Sequence, residues 1–167
     1  MQVQRLNHVA YRCRDAQETT EFYADVLGMR LAHVIVQDRV PSTQELAPHA
    51  HVFFEMADGS WVAFFDLADE EHVAQESSRD WAQHLAMEVS SLEELHAAKQ
   101  RLEDHGVDVP GPVDHGFISS IYFYDPSGHR LELAARTHGP GELERYAAEA
   151  REGVEEWTRR KKERAGG

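Results

Sequence analysis

The chain has 167 residues, a formal net charge of −13, 41% apolar residues and a single cysteine. That length suits one domain, or two small modules on a shared core, at roughly 100–200 residues per domain. The negative balance argues against nucleic acid or an anionic membrane surface as partner, since both demand a cationic face. No apolar run is long enough to span a bilayer. Cys13 has no internal partner for a disulfide, and MQVQRLNH lacks the apolar core of a secretory leader, so a cytoplasmic protein is expected.

In chain order, Leu6–Cys13 reads as a strand. Asp15 with Glu18 forms a capping box for a helix that buries Phe22, Tyr23 and Val26 and stops at Gly28. Met29–Val36 reads as a strand, and residues 38–50, with Pro41 and Pro48, as a loop or lid. His51–Met56 and Trp61–Leu67 are strands joined by a turn containing Asp58-Gly59. Residues 68–82 are polar and form a linker. The plan then recurs: strand His84–Val89, a Ser90/Ser91 cap, a helix carrying Leu92, Leu95 and Leu102, and a stop at Gly106. Ile118–Tyr124 and His129–Ala134 are strands around the turn Asp125-Pro126-Ser127-Gly128. Glu142–Arg164 is an amphipathic helix with Leu143, Tyr146, Ala147, Ala150, Val154 and Trp157 on one stripe, expected to pack on the domain or on a second subunit.

The two halves are therefore copies of one βαβββ plan. Their spacing is far longer than a solenoid period of roughly 20–50 residues, so this is a duplicated module. The duplication places His8 and His84 at matching positions on apolar strands. Glu132 stands inside the otherwise apolar Arg130-Leu131-Glu132-Leu133, where a bare carboxylate would be costly without a cation, cavity or partner. Two histidines and one carboxylate are the ligand set of the facial triad that holds Fe(II) and leaves coordination positions open. The histidines at 33, 72, 96, 105, 129 and 138 lie in polar, helical or turn contexts and read as surface residues.

Two βαβββ units with metal ligands on their strands resemble the vicinal oxygen chelate superfamily. That family includes glyoxalases, fosfomycin- and bleomycin-resistance proteins, epimerases and extradiol ring-cleavage dioxygenases. The resemblance covers roughly residues 5–136. It implies an α+β fold whose modules, about 5–67 and 83–136, form a cup-like mixed sheet around a metal held by His8, His84 and Glu132. Residues 1–136 would be that domain and 137–167 a C-terminal helical extension.

The segment VDHGFISSIYFYDPSGHRLEL is similar to the extradiol dioxygenase pattern at Val113, His115, Ile121-Tyr122, Asp125-Pro126, Gly128 and Glu132. The likeness implies that His115 and Tyr122 lie beside the substrate and hydrogen-bond its oxygens or bound dioxygen. The implied activity is Fe(II)-dependent cleavage of a catechol-like ring, with a small-molecule substrate and dioxygen as partners and a homodimer as the assembly. Mn(II), Ni(II), Co(II) or Zn(II) would serve a related glyoxalase-like isomerase, lyase or thiol transferase, and a small-molecule-binding resistance protein is the third reading.

Aligning Gly59 with Gly128 puts Ala63, or Phe64 after a one-residue slip, where Glu132 has its counterpart, and neither side chain binds metal. Trp61–Phe65 instead makes an apolar wall for a flat ring, with Phe64 as a substrate contact. The family's further catalytic His corresponds here to Ser60, a second substrate contact. His51, or His49, is the candidate to supply the missing group.

Overall fold

The computed structural model describes residues 3–68 and 80–165. Most of the expected linker, with His72, lies outside the described residues. The first module runs β1 (His8–Arg12), α1 (Ala16–Thr20, continued through Glu21–Val26 as a π-helical turn), β2 (Arg30–Arg39), β3 (Leu46–Glu55) and β4 (Trp61–Leu67). The second runs β5 (Leu85–Val89), α2 (Leu92–Asp104), β6 (Val113–Asp114), β7 (Ile118–Tyr124) and β8 (Arg130–Arg136), and α3 (Glu142–Ala165) follows. The sheets have the matching orders β1-β4-β3-β2 and β5-β8-β7-β6. In each, the first strand lies parallel to the last and the other pairings are antiparallel.

Local chemistry sets the helix ends. Asp15 Oδ1 accepts the Glu18 N–H at 2.7 Å, and Asp66 from β4 accepts the Ala16 N–H at 2.8 Å, so two carboxylates serve the orphan donors of α1. The Glu18 carboxylate pairs with Arg14 rather than closing the expected capping box. Ser91 caps α2 through the Glu94 N–H, and Glu94 reaches back to Ser90. The π-helical turn brings the adjacent Phe22 and Tyr23 both inward, and Gly28 ends it at φ +75°, a conformation that costs a residue with Cβ.

Each sheet buries one face under its own helix. In the first, Val52, Phe54, Val62 and Phe64 pack with Phe22 and Tyr23; in the second, Met87, Ile121, Phe123, Leu131 and Leu133 pack with Leu95 and Leu102. Leu92, at the start of α2, is exposed. The modules meet at Phe22–Phe123 (ring centroids 6.3 Å), and Tyr23 Oη donates to Asp125 Oδ2 at 3.1 Å. His129, expected at the surface, is half-buried with Nδ1 2.9 Å from the same Asp125 oxygen.

The expected loop at 38–50 is largely strand. β2 runs on to Arg39 and β3 starts at Leu46, leaving a short turn between them. Pro48 is tolerated because the β2–β3 register shifts opposite it, between Gln37 and Arg39, so the missing N–H breaks no regular ladder.

Candidate metal centre

The alternation of strand side chains assigns each residue to a face. In the second sheet Ala86 pairs with Glu132, Glu132 with Tyr122, and Ser120 with Ala134, so these share the side away from α2. Glu132 is 3% exposed. Its Oε2 lies 2.8 Å from His84 Nε2, and its Oε1 accepts from Ser120 Oγ at 2.5 Å. An imidazole nitrogen and a carboxylate oxygen so spaced suit two donors held about 2.0–2.2 Å from one cation, and the donor set suits a divalent ion. Ser120 orients the carboxylate, as partners behind metal ligands generally do.

Tyr122 is half-buried beside this pair. Its ring meets the His84 ring edge-on at 6.0 Å and lies under the Arg130 guanidinium, 4.4 Å from its centroid. Burial, then the nearby Glu132 carboxylate, raises the phenol above its ordinary range, so the hydroxyl keeps its proton at neutral pH. His115 sits in the turn between β6 and β7, where its N–H donates to the Ile118 carbonyl, and its Nε2 lies 2.8 Å from Tyr122 Oη. The second sheet thus brings together His84, Glu132, Tyr122 and His115.

His8 is not among them. It is exposed on β1, with Nδ1 2.7 Å from Asn7 Oδ1 and its ring edge-on to Phe53 at 6.2 Å. Among the described residues, no three His, Cys, Asp or Glu side chains gather closely enough to enclose a cation within one chain. The register confirms that Ala63 pairs with Ala10 as Glu132 pairs with Ala86, so the first module has an alanine where the second has its carboxylate.

The open face of the first sheet is a wall of rings. Phe53 lies 6.2 Å from His8 and 4.1 Å from His51, and His51 stacks on Phe65 at 3.7 Å and 20°. Burial, followed by His8 and His49, lowers the His51 pKa to about 4, so the ring is neutral at pH 7. Its Nε2 is buried and has no hydrogen-bond partner among the described residues. His49 is buried, its Nδ1 2.7 Å from the Ala47 carbonyl.

Two expected contacts are corrected here. Phe64 is fully buried on the opposite face, against Tyr23 and Phe54, because one step along a strand reverses the side; Phe65 takes its place on the wall. Ser60 is buried in the β3–β4 turn, where its N–H and Oγ both donate to Asp58 Oδ1. Sequence reading missed Ser120 and Arg130, although each stands two residues from a named site residue and so on the same face.

This arrangement defines a class. The chain belongs to the Glyoxalase/Bleomycin resistance protein/Dioxygenase superfamily, which it matches over residues 5–133. It is similar to MhqA of Bacillus subtilis, whose name refers to ring-cleaving dioxygenase, at 28% identity over 145 residues; the match covers 84% of this chain and 43% of that protein. It is similar to the metallothiol transferase FosB of Staphylococcus saprophyticus at 29% identity, covering 81% and 79%. A solved structure of the fosfomycin resistance protein FosX from Mesorhizobium loti superposes with a TM-score of 0.59 at 25% identity, covering 87% of this chain and 99% of that one. No described helix is long and apolar enough to cross a membrane.

Proposed function

We propose that this protein is an Fe(II)-dependent extradiol-type dioxygenase that cleaves a catechol-like ring. The observation carrying this reading is the His84–Glu132 pair with the His115–Tyr122 hydrogen bond directly beside it. His84 and Glu132 would hold the cation from one chain. The third ligand would be His8 of a second copy, since no three such side chains gather among the described residues of one chain and His8 is exposed. A homodimer with two such sites follows. When bound, the metal would supply a Lewis acid for two vicinal oxygens and a coordination position for dioxygen.

The chain's own groups do the rest. Tyr122 Oη would relay a proton between a substrate oxygen and His115 Nε2 through their 2.8 Å contact, gaining one proton as it gives one up, so that it ends each transfer protonated. Phe53, His51 and Phe65 form an apolar wall against which a flat ring would lie. Arg130 over the Tyr122 ring fixes the phenol's orientation.

A glyoxalase-like or thiol-transferring metalloenzyme is the second reading. It is favoured by the FosB match, which spans most of that relative, whereas the match to MhqA spans under half. The test is metal analysis of anaerobically purified protein, then oxygen uptake with a panel of catechols. Iron near one per chain with uptake is expected; no uptake with any catechol on the iron-loaded protein overturns the dioxygenase reading. The split site is tested by mixing His8→Ala with His84→Ala chains, each metal-free alone. Random pairing in a two-fold dimer should restore about a quarter of the wild-type sites. No restoration overturns the shared site.

A further inference from the structure

Arg130 opens β8, two residues before Glu132 and on the same face of the sheet. At about 3.3 Å per residue, their Cα atoms stand roughly 6.6 Å apart. The β5–β8 register, continued back by one residue from Leu85 and Leu131, sets His84 level with Arg130 on one side. Tyr124 pairs with it on the other. Its guanidinium lies over the Tyr122 ring, 4.4 Å from the centroid. Burial and then Glu132 raise the Tyr122 pKa, and the Arg130 charge partly offsets that rise, so its field reaches the hydroxyl.

Several arginines of the chain are neutralised by carboxylates: Arg14 by Glu18, Arg30 by Glu55 and Arg136 by Glu88. Arg130 has no such partner among the described residues, because the nearby acids are engaged elsewhere. Glu132 is held by His84 and Ser120, and Asp125 by Tyr23 and the Ser127 and His129 N–H groups. Asp108 lines the same cavity as Arg130 and is exposed, without pairing with it. A half-buried guanidinium with no counter-charge is costly, and an anion that completes it recovers that cost.

The cavity holds about 710 Å³ and is lined by Arg130, Tyr122, Tyr124, Pro110 and Val113 among others. Small-molecule sites are typically of roughly 300–1,000 Å³, with a few polar groups that fix the ligand's orientation. An arginine offers a fork of N–H donors that meets a carboxylate with two parallel hydrogen bonds. We propose that Arg130 is a specificity-determining residue that binds a carboxylate carried by the substrate's ring. The subsite depends on the metal-site reading above. With the ring hydroxyls on a cation at His84 and Glu132, a substituent reaches along β8 to Arg130. In a chain of net charge −13, a fixed cation at the site also offsets repulsion of an anionic ligand. The substrate class is then a catechol that bears a carboxylate.

The experiment titrates the metal-loaded protein, without oxygen, with 3,4-dihydroxybenzoate and with 4-methylcatechol. These share ring and diol and differ by a carboxylate against a methyl group. Calorimetry gives both dissociation constants for wild type, Arg130→Met and Arg130→Lys. Wild type should prefer the carboxylate by at least roughly tenfold, and Arg130→Met should lose that preference. Arg130→Lys should keep part of it, having the charge without the fork. Circular dichroism and metal content verify each variant, and Arg130→Gln replaces Arg130→Met if that variant does not fold. No binding, or no preference in wild type, overturns the subsite. So does a preference that survives in Arg130→Met, which would put the carboxylate on the metal. Equal weakening of both ligands with an unchanged ratio also overturns it, because Arg130 would then only hold Tyr122 in place. Binding without oxygen does not depend on ring cleavage, so the two proposals separate. An Arg130-dependent preference in a protein that consumes no oxygen with any catechol sustains the subsite and sinks the dioxygenase reading. Oxygen uptake without that preference sinks the subsite alone.

Discussion

His115 Nε2 and Tyr122 Oη lie 2.8 Å apart, a hydrogen bond that ties the turn before β7 to the middle of that strand. The Glu132 carboxylate is engaged by His84 and Ser120, with the Tyr122 hydroxyl beside it, whereas the contact of the His115 ring is with the phenol. Catalysis and metal retention should therefore separate. His115→Ala should lower turnover by ~10²–10⁴ with metal content unchanged. Tyr122→Phe, which keeps the ring and its Arg130 contact, should also lower turnover. Steady-state rates with parallel metal analysis decide this.

Ser120 holds the carboxylate from behind. Ser120→Ala should weaken metal binding by ~10–100-fold without unfolding the chain, whereas Glu132→Ala should abolish stable binding. Competition with a chelator of known affinity measures both.

Tyr23 crosses between modules to Asp125, and burial with the Asp125 carboxylate raises its phenol far enough that it remains a donor. Tyr23→Phe should cost about 1.5–3 kcal/mol, the value of a hydrogen bond to a charged acceptor. Asp125→Ala should cost more, since it also orphans the Ser127 and His129 N–H groups. Denaturant unfolding at pH 7 gives both values.

Neighbouring phenylalanines should behave oppositely. Phe64→Ala removes a fully buried ring and should cost about 3–5 kcal/mol of stability. Phe65→Ala should leave the melting temperature closer to wild type and raise KM for an aromatic substrate, because its ring stacks on His51 at the open face.

Cys13 is 3% exposed, and burial is the main reason its thiol is pushed up to about 11, with Thr19 opposing and nearby aspartates adding to the rise. The folded state therefore holds the thiol proton more tightly than the unfolded chain, whose ordinary value is 9.0. This stabilisation is complete below pH 9 and is lost as pH rises towards 11. Cys13→Ala should flatten that part of the stability curve. Iodoacetamide at pH 8 should leave native Cys13 unlabelled and react once the chain is unfolded.

Much of the fold was legible because its signals are local. Asp15 and Ser91 read as caps, Gly28 as a stop, and the repeat implied one plan for both halves. The pairing of His84 with Glu132 followed from the same logic, since β5 and β8 are neighbours within one module. Long-range compensation was not legible. Pro48 looked like a loop residue, but a register shift in β2 accommodates it within β3. Phe64 and Phe65 are indistinguishable by composition, and only the pairing register decides which one faces Tyr23 and which faces His51. His129 read as a surface residue until Asp125 from the same turn was seen to hold it. The separation of His8 from His84 and Glu132 was decided by tertiary structure alone. Sequence places equivalent residues on equivalent strands, but the packing of Phe22 and Tyr23 against Phe123 and Asp125 sets how the modules meet, and with it which side chains reach Glu132.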